Sequence, residues 1–248
     1  MFPIRDHNPS ERTPYVTYAL IAINIVVYLG GLVVIQNDRA LAELYYAYAM
    51  IPARISEGEN LISLVTSTFL HGGFMHLAGN MLFLWIFGDN LEEEMGHVGF
   101  LAFYLAAGIA AGLMQWIADP YSSVPMVGAS GAIAGVMGGY LLLFPKAKVD
   151  VLIFLVIFVR IFPLPAWIVL GLWFGIQILS SFGADAAQGG VAYWAHIGGF
   201  IAGFVLTAPV WMRHGARGYW QKTDGHPPHP EAKYPFSNSN IPRVNRRK

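Results

Sequence analysis

No charged side chain occurs between Tyr15 and Ile35, and the run is long enough to cross the ~30 Å hydrocarbon core of a bilayer as a helix. Comparable apolar runs recur at about Phe74–Leu91, Val98–Ile117, Ser130–Phe144, Leu164–Phe182 and Val191–Trp211. A chain in lipid has no water to satisfy its backbone N–H and C=O groups, so each run must bond internally as a helix. Charged residues make up only 12% of the 248 residues, against about 25% in a soluble domain. These features predict an all-α polytopic membrane protein, a bundle of six transmembrane helices over residues 15–212.

The segments between the runs set the organisation. Residues 1–14 are polar, carry three prolines, and read as a short cytoplasmic segment rather than a cleavable signal peptide. Residues 37–73 are charged in places but contain apolar stretches at Leu41–Met50 and Leu61–Leu70, which predicts a structured loop lying partly in the interface. Residues 149–162 are apolar but followed by Pro163 and Pro165, and fit either a segment flat on the interface or an extension of the fifth span. Residues 213–248 are rich in Pro, His, Asn, Ser and basic residues and read as a solvated cytoplasmic tail, its His226 and His229 included. Six spans put both termini on one side. All of the 15 Lys and Arg residues except Arg39 and Arg54 fall on that side, so both termini are expected in the cytoplasm. With no cysteine, disulfide and thiolate chemistry are excluded.

The fourth run is unusual. Pro145 stops it, leaving a helix of roughly 22 Å from Ser130 to Phe144, well short of the hydrocarbon core. If Phe144 lies near the cytoplasmic surface, Ser130 lies several ångströms beneath the outer one. Gly131, Gly135, Gly138 and Gly139 keep this helix thin, so others can approach it closely. Polar groups inside spans are costly and default to function. Here they are Asn24, His76, Asn80, Gln115, Ser130, Gln177 and His196. His76 and Asn80 are four residues apart on one helical face near the outer end of the second span, and His196 is about 8 Å into the sixth. Gly199 and Gly203 follow His196 at helical spacing and can pack against the glycines of the fourth span. A hydroxyl, two imidazoles and an amide thus share one depth. Each alone has an ordinary structural use. Together they supply a nucleophile (Ser130), a base (His196), and oxyanion donors from His76, Asn80 and the Ser130 N–H, which is free at a helix start. No carboxylate lies at this depth, so a dyad is expected. His71 reads as a residue that orders the preceding loop.

These residues resemble the rhomboid family of intramembrane serine proteases. Gly128-Ala129-Ser130-Gly131 is similar to the family's GxSG, and Ala195-His196-Ile197-Gly198-Gly199 followed by Gly203 to its AHxxGxxxG. His71-Gly72-Gly73-Phe74-Met75-His76-Leu77-Ala78-Gly79-Asn80 resembles its histidine-rich start of the second span, and Gly88, Leu91-Glu92 and Gly96 the end of that span. The resemblance covers about residues 15–212. It implies cleavage of transmembrane helices near the outer face of the membrane by a Ser130–His196 dyad. His76, Asn80 and the Ser130 N–H would form the oxyanion site, supported by His71, Gly128, Gly131 and Gly199. It implies no cofactor and no metal. The partners are transmembrane protein substrates and the lipid bilayer, not nucleic acid, and the expected location is a prokaryotic plasma membrane. Two features depart from the family pattern. Ala134 stands where an aromatic often braces the catalytic imidazole, and a Trp-Arg pair common in the first outer loop is missing.

Two other functions compete. A non-enzymatic relative that escorts membrane clients would not need Ser130, His196 and Asn80 together. A metal-dependent intramembrane protease or a transporter is disfavoured by the lack of HExxH and the scatter of the histidines.

Overall fold

The computed structural model describes residues 2–155, 158–183 and 190–234. Strand β1 (Phe2–Asp6) leads into α1 (Tyr15–Val34), whose lipid-facing residues Val26, Leu29, Leu32 and Val33 are exposed while Thr17, Leu20 and Asn24 face the bundle. The connection to the next long helix is structured, as α2 (Asp38–Tyr48), α3 (Pro52–Ser56), α4 (Ser63–Thr66) and a 3₁₀ turn (Ser67–Phe69). The second and third apolar runs form α5 (Phe74–Ala118), which is helical on both sides of Gly96 and broken there, where φ is 71° and ψ 162°. That backbone conformation suits a residue without Cβ. The chain reverses at this point into two antiparallel limbs. Next come α6 (Ser130–Leu143), the strands β2 (Lys148–Leu155) and β3 (Phe158–Pro165), then α7 (Ala166–Ser181), α8 (Tyr193–Arg213) and the short α9 (Arg217–Thr223).

Helix α6 is the axis of the bundle. Twelve of its 14 residues are buried, and it packs against α5, α7 and α8. The glycines explain how. A Cβ built on Gly199 or Gly203 of α8 would collide with the carbonyls of Gly131 and Gly135 on α6, and one on Gly138 would collide with the Phe200 carbonyl. The two helices meet backbone to backbone, held by dispersion between small residues rather than by side-chain interdigitation. Around this seam, Leu84, Phe87, Leu91, Phe100, Tyr104, Met137, Tyr140 and Leu143 form the core.

Polar contacts fix the rest. Glu92, on the first limb of α5, accepts hydrogen bonds from the backbone N–H groups of Val16 (2.8 Å) and Thr17 (2.7 Å), from the Thr17 hydroxyl (2.7 Å) and from the His97 ring. It satisfies first-turn donors of α1 that the helix itself leaves open, and so ties α1 to α5. The outer loop docks without a Trp-Arg pair. Met50 and Met126 exchange backbone hydrogen bonds, Ser56 donates to the Pro120 carbonyl at 2.7 Å, and Trp116 Nε1 donates to the Ser56 hydroxyl at 2.8 Å.

Two expectations need correction. The bundle is helical, as expected, and one three-stranded sheet accompanies it. Residues 149–162 do not extend the fifth span. They belong to a hairpin in which β2 pairs antiparallel with β3, from Lys148 opposite Pro165 to Leu155 opposite Phe158, and β1 adds antiparallel to the other edge of β2. The stretch is dense in Val, Ile and Phe, which favour strands, and Pro163 and Pro165 forbid a helix running into α7. The polar segment after Arg213 is not simply solvated either. Helix α9 packs on the bundle, burying Tyr219 and donating from Trp220 Nε1 to the Leu142 carbonyl at 3.1 Å. The remainder of that segment, residues 235–248, lies outside the described residues.

Candidate active site

A cavity of about 770 Å³ opens beside the N-terminal end of α6, and Ser130, Gly128, Gly131, His76, Asn80 and His196 line it. Ser130 is the first residue of α6, so its N–H has no carbonyl one turn back to bond. The end of the helix also carries the positive pole of its dipole, which favours negative charge there. The approach to the serine is held by backbone. Gly128 donates its N–H to the Ser67 carbonyl at 2.9 Å and sits at φ 129°.

His196 lies in the first turn of α8. Its Nε2 is 2.8 Å from Ser130 Oγ, and its Nδ1 is 2.8 Å from Gln177 Oε1 on α7. The close crossing of α6 and α8 at Gly131 and Gly199 is what brings the hydroxyl and the ring within bonding reach. Gly131 is equally tight on its other side, where a Cβ would lie 2.6 Å from the Cβ of Ala111.

His76 and Asn80 project from the first two turns of α5. The His76 ring rests against Gly128, where a Cβ would lie 2.7 Å from both Nε2 and Cε1 and 3.6 Å from Ser130 Oγ. Any side chain at position 128 would therefore occupy the space between the imidazole and the serine. Asn80 is buried, and its Nδ2 is 2.9 Å from His71 Nε2. One amide hydrogen is committed to His71, which leaves the second for the cavity. His71 itself packs edge-on against His76, with ring centroids 5.0 Å apart. The loop histidine thus contacts both Asn80 and His76 without lining the cavity itself.

Two residues near His196 are given no role by the sequence. Gln177 was visible only as one polar residue in the fifth span, and Trp173 as one aromatic in an apolar run. They are four residues apart on α7 and so share a face. The Trp173 ring lies over His196 with centroids 5.7 Å apart and planes tilted by 34°. The spacing of the pair was legible in the sequence, but the rotation of α7 that turns it inward was not.

A Rhomboid domain model matches residues 58–213. The chain belongs to the rhomboid family, and with its long apolar helices it is an integral membrane protein. It is 37% identical over 151 residues to Rhomboid protein 1, mitochondrial, of Saccharomyces cerevisiae, covering 57% of this chain and 40% of that protein. It is 32% identical over 198 residues to Rhomboid protease GluP of Bacillus subtilis, covering 79% of this chain and 35% of that protein. A shorter match, 40% identical over 78 residues, joins it to the Putative rhomboid protease YdcA of Bacillus subtilis, with 32% of this chain and 39% of that protein covered. The matched region therefore spans well under half the length of these relatives.

Proposed function

We propose that this protein is a serine-type intramembrane endopeptidase that cleaves transmembrane helices of other membrane proteins near the outer face of the bilayer. The observation that carries the reading is the 2.8 Å bond between Ser130 Oγ and His196 Nε2 inside a cavity that His76 and Asn80 also line. A packing serine in a glycine-rich helix would bond its own helix and need no imidazole from another.

The reaction follows from the parts. Ser130 Oγ attacks a substrate carbonyl carbon while its proton passes to His196 Nε2. The new oxyanion is held by the Ser130 N–H and by donors from His76 and Asn80, each such donor being worth about 3 kcal/mol of barrier. The C–N bond then breaks as the imidazolium returns its proton to the leaving amine. Water, deprotonated by the same nitrogen, releases the acyl group and restores the hydroxyl. His71 keeps Asn80 aimed, and Gly128 keeps the oxyanion space open.

A transmembrane helix shields its carbonyls, so the substrate must unwind locally. Gly or Pro in the substrate lowers that cost, and the crowded glycine-lined site favours a small residue before the scissile bond. The distribution of basic residues puts both termini in the cytoplasm and Ser130 toward the opposite face, and six spans in a prokaryotic plasma membrane fit that orientation. The test uses the full chain, purified in detergent, with a single-span reporter carrying a helix-destabilised segment. Ser130→Ala and His196→Ala each abolish cleavage, and Asn80→Ala lowers it in part. Wild-type turnover by His196→Ala would overturn the proposal.

A further inference from the structure

We propose that Gln177 is a positioning residue of the reaction: its side-chain carbonyl accepts the Nδ1–H of His196, fixing both the tautomer and the orientation of the imidazole that activates Ser130. This rests on the dyad reading above. If Ser130 is to give up its proton, its hydroxyl must donate to Nε2, and Nε2 must be bare. The remaining ring hydrogen then sits on Nδ1, and the atom facing Nδ1 at 2.8 Å is Gln177 Oε1. The two bonds are consistent with one tautomer only. A ring free to exchange its hydrogen between nitrogens would spend part of its time with Nε2 protonated, where it cannot act as a base.

The surroundings of Gln177 support a dedicated role. Helix α7 shows lipid-exposed side chains at Trp167, Leu172, Ile176 and Leu179, yet Gln177 is buried. Burying an amide among apolar groups is unfavourable unless it is bonded, and among the described residues Gln177 bonds the imidazole. The helix is held at the required rotation by its aromatic seam with α8. Phe174 stacks on Phe200 with centroids 4.4 Å apart, and Trp173 lies 6.2 Å from the same ring while covering His196. On the α6 side, position 134 carries only the methyl of Ala134, so no ring from that helix restrains the imidazole. The restraint comes from α7 instead.

The experiment uses the full chain in detergent with the single-span reporter, and has three arms. Gln177→Met keeps the length of the side chain and removes the acceptor. It lowers kcat on the order of 10- to 100-fold, the range seen when an outer partner of a working histidine is lost, while KM stays within about twofold. Gln177→Glu restores an acceptor oxygen at the same place and recovers most of the turnover. Nitrogen-15 NMR on wild-type protein carrying labelled histidine, with His196 assigned by its loss in His196→Ala, shows Nδ1 protonated and Nε2 bare. The proposal falls if Gln177→Met turns over at the wild-type kcat, if Gln177→Glu is as impaired as Gln177→Met, or if wild-type His196 carries its hydrogen on Nε2. Should Gln177→Met fail to melt cooperatively, the wild-type spectrum alone decides. Cleavage surviving Ser130→Ala would overturn the dyad itself, whereas an inactive Ser130→Ala beside a fully active Gln177→Met overturns only the brace.

Discussion

Replacing Gly199 by alanine tests whether the close crossing of α6 and α8 sets the distance between Ser130 and His196. The added Cβ would lie 2.9 Å from the carbonyl carbon of Gly131 and nearer still to its oxygen, where ordinary contact begins at 3.4 Å. Neither neighbour is a flexible side-chain tip, so backbone has to move. Relieving the carbon contact alone needs about 0.5 Å, and the oxygen raises the required separation of the helices to roughly 1 Å. Gly131 directly follows Ser130, and Gly199 is one turn from His196. The same displacement therefore carries the 2.8 Å bond out to roughly 3.8 Å, beyond hydrogen-bonding range. A misplacement of 1 Å costs about 10²-fold in rate, and overpacking a close contact costs about 1–3 kcal/mol of stability. The assay is cleavage of the single-span reporter beside thermal unfolding in the same detergent. Gly171→Ala is the control, because a Cβ there meets nothing within 4 Å and its effect stays within about 0.5 kcal/mol. Gly199→Ala with the turnover and melting temperature of wild type would refute the claim that the backbone crossing sets the geometry of the site.

Two further outcomes follow from the C-terminal end of α6. Burial and the neighbouring charge of Asp89 push the Asp6 carboxyl well above the usual carboxylate range, while the Tyr140 hydroxyl donates to it at 2.7 Å. An acid raised in the folded state holds more protons folded than unfolded, so stability is greatest below the ordinary carboxylate value and declines as pH rises toward the folded one. Asp6→Asn therefore raises the melting temperature at pH 8 more than at pH 5; an equal change at both values would contradict the assignment. Trp220→Ala removes the bond to the Leu142 carbonyl and the ring contact with Trp211, and lowers stability by about 2 kcal/mol, read as a fall in melting temperature. No fall would mean that α9 does not hold the end of α6.

What could be read from the sequence follows from how strongly each local rule is enforced. Lipid leaves the backbone one economical solution, so α1, the two limbs of α5, α6, α7 and α8 begin and end within a few residues of the apolar runs. Pro145 and the glycines of α6 announced a short, thin helix, and the four-residue spacing of His76 and Asn80 announced one face. Sequence spacing is silent on rotation about a helix axis. That is why Gln177 and Trp173 stood in the open without a role. It is also why the commitment of one Asn80 hydrogen to His71 could not be foreseen from the loop. The hairpin was missed for a different reason: a run of apolar residues at a membrane surface satisfies helix and strand patterns alike, and only its β-branched content and closing prolines argue for strands. Helix α9 was hidden because its packing depends on Leu142, far away in the chain.

The account stands on Ser130 being the nucleophile that His196 activates. The most direct measurement is to label the full chain in detergent with a fluorophosphonate and locate the adduct by peptide mass spectrometry. A single adduct on Ser130, lost in His196→Ala and matched in extent by the loss of reporter cleavage, is the predicted result. An adduct on another residue, or cleavage that continues after Ser130 is fully modified, would contradict it.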